Sequence, residues 1–168
     1  HYLGVQTGRT KLLSFDMGGT STDVSLLDGE ISTTNEGRIA SYPIAVPMVD
    51  MHTIGAGGGS IAYVDDGGML QVGPKSAGAE PGPACYNHGG DEATVTDANL
   101  VLGRLLPGAA FAGGLQLSLS HARNAILKLA KKIDLSVEET ALGIVQIVNE
   151  HMAGVLRLIS VNRGYDPN

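Results

Sequence analysis

The stretch Lys11-Leu-Leu-Ser-Phe-Asp-Met-Gly-Gly-Thr-Ser-Thr-Asp-Val24 constrains this chain more than any other feature. It reads as an apolar strand running straight into Asp-x-Gly-Gly-Thr-x-Thr-Asp. Gly18 and Gly19 have no side chains, so the backbone can bend sharply and an anion can approach the amides. Thr20, Ser21 and Thr22 add hydroxyl donors. Asp16 and Asp23 bracket the turn with carboxylates. They suit Mg²⁺, bound directly or through water, or the orientation of an attacking nucleophile. Phosphate binding uses every one of these residues. A purely structural turn is the alternative, because Gly, Ser, Thr and Asp are also ordinary turn residues.

With 168 residues the chain can bury one sizeable core or two small lobes. Its 24 glycines are clustered, which points to shaped loops rather than low complexity. Aromatic content is 4% with no Trp, and the formal net charge is -6 without a basic run. This composition argues against a stacking platform for single strands, a nucleic-acid partner or an anionic membrane surface. Any phosphate is then held locally, by amides and a metal. The single cysteine, Cys85, cannot close an internal disulfide and fits a reducing, cytoplasmic setting. Neither a membrane-spanning run nor a signal peptide is expected. The chain begins at His1 and reads as an internal part of a longer protein.

Residues 10–72 read as strand-rich. Asp28-Gly29 and Asp65-Asp-Gly-Gly68 mark two hairpins, and Pro43 to Ile54 is an extended segment broken by Pro43 and Pro47. Residues 73–97 read as a long Gly/Pro-rich loop, and residues 97–165 as helical. Thr96 is the expected cap of a short helix from Asp97 to Leu106, and Ser120 that of the next. In that second helix Ala122, Ala125, Ile126, Leu129 and Ile133 share a face. Ser136-Val-Glu-Glu139 has capping-box spacing and opens a long helix with Leu142, Val145, Val148, Met152, Leu156 and Ile159 on one face and Gly164 as its stop. Strands followed by helices predict an α/β or α+β lobe with the helices on one sheet face. No internal repeat or domain boundary is visible, so residues 1–168 read as one domain.

A second glycine cluster, Ile54-Gly-Ala-Gly-Gly-Gly-Ser-Ile61, lies between two expected strands. One bend needs one or two glycines, so Gly55, Gly57, Gly58, Gly59 and Ser60 read as bare amides offered to a ligand. It is not a Walker loop, for no Gly-Lys-Ser/Thr follows. Nor is it a dinucleotide fingerprint, since strands rather than a helix follow it. Asp50 and His52 point to one face of a strand. They could bind a metal or serve as acid and base, and a hydrogen-bonded structural pair is the simpler reading. Cys85 and His88 lack a second ligand pair for zinc. His121 and His151 fall in the helical region and read as surface or satisfied residues.

Several segments together resemble the hydantoinase A/5-oxoprolinase family. They are Asp16 to Val24, His52-Thr-Ile-Gly-Ala-Gly-Gly-Gly-Ser-Ile-Ala62 and Ser76-Ala-Gly-Ala-Glu-Pro-Gly-Pro-Ala-Cys-Tyr86, with Thr94 to Leu106 and Asn162-Arg-Gly-Tyr-Asp-Pro167. The resemblance implies one lobe of an actin/sugar-kinase-like (ribonuclease H-like) nucleotide-binding fold. It also implies an ATP-dependent enzyme that phosphorylates a lactam or imide carbonyl to drive ring opening, or a related acetone or acetophenone carboxylase subunit. A module that binds nucleotide without turnover stays open beside them. On this resemblance Gly18, Gly19 and Thr20 hold a phosphate of ATP, Asp16 or Asp23 positions Mg²⁺, and Gly55 to Ser60 approaches the nucleotide or substrate. The substrate is a small cyclic amide, and a second, hydantoinase B-type subunit or domain is the implied partner. The turn at residues 16–23 resembles the second of two such loops in a full-length member.

Overall fold

The computed structural model of the chain describes residues 1–39, 42–108 and 112–166. Pro167, the last residue of the closing family-like segment, lies outside them. A short helix, α1 (Tyr2–Thr7), precedes eight strands: β1 (Lys11–Met17), β2 (Thr22–Asp28), β3 (Glu30–Ile31), β4 (Thr33–Thr34), β5 (Gly37–Ile39), β6 (Tyr42–Ile44), β7 (Met48–Val49) and β8 (His52–Ile54). A hairpin of β9 (Ser60–Val64) and β10 (Leu70–Ser76) follows. Helices α2 (Val95–Val101), α3 (Leu119–Ile133) and α4 (Val137–Ile159) complete the chain. It is a mixed α/β chain, strands first and helices second.

Two compact units share these elements. One comprises His1–Asp16, Asp23–Thr53 and Gly154–Asn168, the other Met17–Thr22 and Ile54–Ala153. The first is built on the sheet β1-β2-β3, with β8 also paired to β2. Asp28-Gly29 forms the expected hairpin, with Leu27 opposite Ile31 and Gly29 at φ 78°. The single extended segment expected from Pro43 to Ile54 is instead three short strands.

In the second unit β9 and β10 pair antiparallel, with Leu70 opposite Val64 and Val72 opposite Ala62. Asp65 shapes their turn by accepting from the amides of Gly67 and Met69, both at 2.9 Å. The core contains Ala62, Val72, Val95, Ala98, Ile126, Ile144 and Val148. Most of its members are small or β-branched, with Leu129 and Met152 the exceptions, so β9, β10 and the helices can approach closely. The α3 stripe is buried as its spacing predicts at Ala122, Ala125, Ile126 and Leu129.

Helix starts are set by side chains. The Ser136–Glu139 capping box forms: Ser136 Oγ accepts from the Glu139 amide at 3.1 Å, and Glu139 accepts from the Ser136 amide at 2.9 Å. Two caps shift from the expected residue. Thr94, not Thr96, caps α2 in a reciprocal box with Asp97, and Ser118, not Ser120, caps α3. The expected loop at 73–97 is shorter, because β10 runs to Ser76 and α2 begins at Val95. On α4 the buried stripe contains Ala141, Ile144, Val145, Val148 and Met152, while Leu142 is 43% exposed. The stripe is rotated because Ala141 and Ile144, rather than Leu142, face the core. Gly164 ends a 3-10 turn after α4, with φ 84°.

By length and composition the helical stretch Val137–Arg163 could cross a membrane, its most apolar window having a mean hydropathy of 1.2. The sequence reading did not expect this. Of that window 28% is buried, and one face, with Ala141, Ile144, Val145, Val148 and Met152, packs in the core.

Candidate functional site

The second unit brings the two glycine clusters together. The amide of Gly58 donates to the carbonyl of Gly18 at 3.1 Å, and that of Gly59 to the carbonyl of Gly19 at 2.6 Å. The buried Thr22 hydroxyl donates to the Ala56 carbonyl at 2.5 Å. Contact is so close that a Cβ on Gly57 would sit 2.7 Å from the Gly18 carbonyl oxygen. The second cluster is held in turn. The amide and hydroxyl of Thr96 both donate to the Gly58 carbonyl at 2.8 Å, and the Ala77 amide donates to Gly59 at 2.9 Å.

The amides of the second cluster from Gly57 to Ser60 are engaged within the chain. The amide of Gly57 donates to Ser60 Oγ at 2.8 Å, and that of Ser60 to the Gly57 carbonyl at 3.1 Å. With Gly58 and Gly59 also committed, these amides are not bare. Gly57 and Gly59 leave no room for a Cβ because the first turn's backbone lies against them, while a Cβ at Gly58 would meet Thr96 and one at Gly55 would meet Pro74.

The first turn is the open one. Gly18 donates to the Ser21 carbonyl at 2.8 Å and closes it. Among the described residues the amides of Gly19, Thr20 and Ser21 make no hydrogen bond within the chain. A Cβ at Gly19 would meet nothing within 4 Å. Three successive amides without a partner in the chain are donors that an anion can use. Thr20 Oγ1 lies at the same turn, 3.2 Å from Ser76 Oγ.

Asp16 and Asp23 belong to the first unit. Ser14 Oγ and Ser25 Oγ are 2.6 Å apart across the β1–β2 hairpin. Two residues further along each strand, toward the turn, Asp16 therefore faces Asp23 on the same side of the sheet. Thr53 on β8 donates to Asp23 Oδ1 at 2.5 Å. Like charges facing each other across strands repel, which a cation relieves. Mg²⁺ suits such a place because it keeps much of its water and needs only one or two carboxylates.

Asp50 and His52, also in the first unit, are brought together by a residue the sequence reading did not connect to them. Arg163 pairs with Asp50, and its other nitrogen lies 3.0 Å from His52 Nε2. Its hydrogen bond holds the Asp50 carboxyl below its ordinary 3.8. Arg163 thus engages both side chains of the pair. Among the described residues no group of three or more His, Cys, Asp or Glu could hold a metal ion.

The Cys85 side chain is fully buried, and burial, followed by the nearby Asp97, pushes its thiol far up and disfavours the thiolate. Asp97 is a buried carboxylate satisfied by the amides of Ala84 (3.2 Å), Cys85 (2.7 Å) and Thr94 (2.9 Å) and the Thr94 hydroxyl (2.7 Å). It pins the Pro-rich loop to the start of α2. His121 lies 2.7 Å from the Ser118 hydroxyl through Nδ1 and is satisfied.

Sequence reading missed Ser76 and Arg163 as members of these clusters. The Thr20–Ser76 contact spans 56 positions and the Asp50–Arg163 contact 113, so no local spacing could reveal them.

Known proteins resemble the chain in sequence and in fold. The chain is 49% identical over 162 residues to caprolactamase subunit alpha of Pseudomonas jessenii, covering 95% of this chain and 23% of the relative. The crystal structure of the ATP-dependent caprolactamase from that organism superposes with a TM-score of 0.88 at 46% identity, over 99% of this chain and 24% of that one. A nucleotide-free acetone carboxylase chain superposes with a TM-score of 0.90 at 32% identity, again over 99% and 24%. The chain thus spans about a quarter of the length of these relatives. A family profile described as Hydantoinase/oxoprolinase matches residues 1–168, end to end through both glycine clusters, and the chain belongs to that family.

Proposed function

We propose that this chain forms part of an ATP-dependent cyclic amidohydrolase, as one lobe of an actin/sugar-kinase-like nucleotide-binding domain of which residues 1–168 are a portion. The observation that carries the reading is the open turn, where the amides of Gly19, Thr20 and Ser21 are unpaired and Gly19 leaves free space. Gly18, Gly19, Thr20, Ser21 and Thr22 form the phosphate turn. Gly55, Gly57, Gly58, Gly59 and Ser60 act as its frame.

A lactam or imide resists water because resonance with nitrogen protects its carbonyl carbon. Transfer of the ATP γ-phosphoryl group to the carbonyl oxygen breaks that resonance and creates a leaving group. Water then adds at carbon, and the C–N bond breaks to open the ring and leave an acyl phosphate with the amine protonated. A second water attacks the acyl carbon to release phosphate carrying the former carbonyl oxygen. The turn's amides and the Thr20 hydroxyl would stabilise phosphate charge through the transfer. Asp16 and Asp23 would hold Mg²⁺, which supplies neutralising charge to the phosphates when bound. They flank the turn in the chain.

A small cyclic amide is the proposed substrate, the cytoplasm the proposed setting, and a second subunit the proposed partner, supported by the name of the caprolactamase relative as a subunit alpha. The experiment uses a lactam labelled with ¹⁸O at its carbonyl and the intact enzyme. Inorganic phosphate carrying the label is expected, with loss of turnover in Asp16→Asn and Asp23→Asn. Ring opening with unlabelled phosphate would overturn the mechanism.

The acetone carboxylase likeness supports a second reading, in which the same turn serves ATP-dependent carboxylation. Bicarbonate-dependent ATP hydrolysis and labelled CO₂ fixation distinguish it.

A further inference from the structure

We infer that Ser76 is a positioning residue for the phosphate turn, its hydroxyl setting the direction in which the Thr20 hydroxyl donates. The inference rests on reading residues 18–22 as that turn. It concerns a residue at the end of β10, far from the turn in sequence.

Ser76 Oγ accepts from the Gly78 amide at 3.1 Å and lies 3.2 Å from Thr20 Oγ1. Each hydroxyl has one proton and two lone pairs. If Ser76 donates to Thr20, the Thr20 proton is released to point into the open side of the turn. If Thr20 donated instead, its proton would face Ser76 and only a lone pair would face an anion. The first order gives a continuous chain from the Gly78 N–H through the Ser76 O–H to the Thr20 O–H. Each member polarises the next, so the last becomes a better donor. A phosphate oxygen at the open turn selects this order, because it can only accept.

Ser76 is held in register by main chain. Its neighbour Ala77 donates to the Gly59 carbonyl at 2.9 Å, and Gly59 donates to the Gly19 carbonyl at 2.6 Å. A Cβ on Gly59 would lie 3.0 Å from Ser76 Oγ, so glycine there also makes room for this hydroxyl. Thr20, in the turn, and Ser76, in the frame, are thus fixed relative to each other by the same ladder.

The test is calorimetric titration of the intact protein with Mg-ATP, for wild type, Ser76→Ala, Ser76→Thr, Thr20→Val and the double variant Ser76→Ala/Thr20→Val. We expect Ser76→Ala to weaken binding about five- to tenfold, the size of one ordinary hydrogen bond. Ser76→Thr, which keeps the hydroxyl, should restore most of it. The double variant should bind no worse than Thr20→Val, because Ser76 acts only through Thr20. Additive losses, or an unchanged Ser76→Ala, in a wild type that binds would overturn this inference and leave the phosphate turn standing. A wild type that binds no nucleotide would overturn both.

Discussion

A methyl group added at Gly19 would meet nothing within 4 Å, whereas one added at Gly57 would lie 2.7 Å from the Gly18 carbonyl oxygen. Both glycines sit in clusters of the same small, polar composition. In the first turn glycine leaves space for something outside the chain, and the amides from Gly19 to Ser21 stay unpaired. In the second it leaves space for the first turn. A glycine-rich loop can therefore be a site or the mould of a site, and hydrogen-bond accounting for its amides tells which.

Substituting Gly57 with Ala is the strongest way to break this contrast. The clash is with backbone, which cannot swing aside. A destabilisation of about 1–3 kcal/mol is expected, read as a lower thermal midpoint without ligand. An unchanged midpoint would mean that the second cluster is not a frame. Gly19→Ala should do the reverse. Its stability should stay within about 0.5 kcal/mol of wild type, while Mg-ATP affinity falls about tenfold, or ~1.4 kcal/mol, because a methyl narrows the approach to the amides. Equal effects of the two variants on stability would erase the distinction.

Thr22→Val sharpens it further. Thr22 is fully buried and its hydroxyl ties the turn to the Ala56 carbonyl. Valine keeps the shape and leaves that carbonyl one donor short, a loss of about 1 kcal/mol by chemical denaturation. The smallest effect belongs to Asp50, outside both clusters. Arg163 lowers its folded-state pKa below 3.8, so the pair's stabilisation is present above that pH and is lost as pH falls through the folded value. Between pH 5 and 2, wild type should lose slightly more stability than Asp50→Asn. Parallel profiles would show the ion pair to be inert, as many exposed pairs are.

Much of the fold can be read from local sequence because the causes are local. Asp28-Gly29 makes a hairpin, Ser136 with Glu139 caps α4, and the spacing of Ala122, Ala125, Ile126 and Leu129 buries one face of α3. The errors come where two local answers compete. Thr94 and Thr96 can each cap a helix near Asp97, and the choice of Thr94 goes with Asp97 also reaching the amides of Ala84 and Cys85. Thr96 is then released to hold Gly58. Likewise the buried face of α4 includes Ala141 and Ile144 rather than Leu142, since a helix's rotation is fixed by what it packs against.

By itself the sequence determined the order of strands and helices, the turn at Gly18-Gly19-Thr20 and the family, because each depends on residue types at short and fixed spacing. Only the tertiary structure decided that Gly57 to Ser60 frame that turn, that Asp16 faces Asp23, that Ser76 reaches Thr20 and that Arg163 occupies Asp50 and His52. The physical reason is the same throughout. A hydrogen bond or a clash is decided within a few ångströms, and in these cases the partner is supplied by chain that lies elsewhere in the sequence.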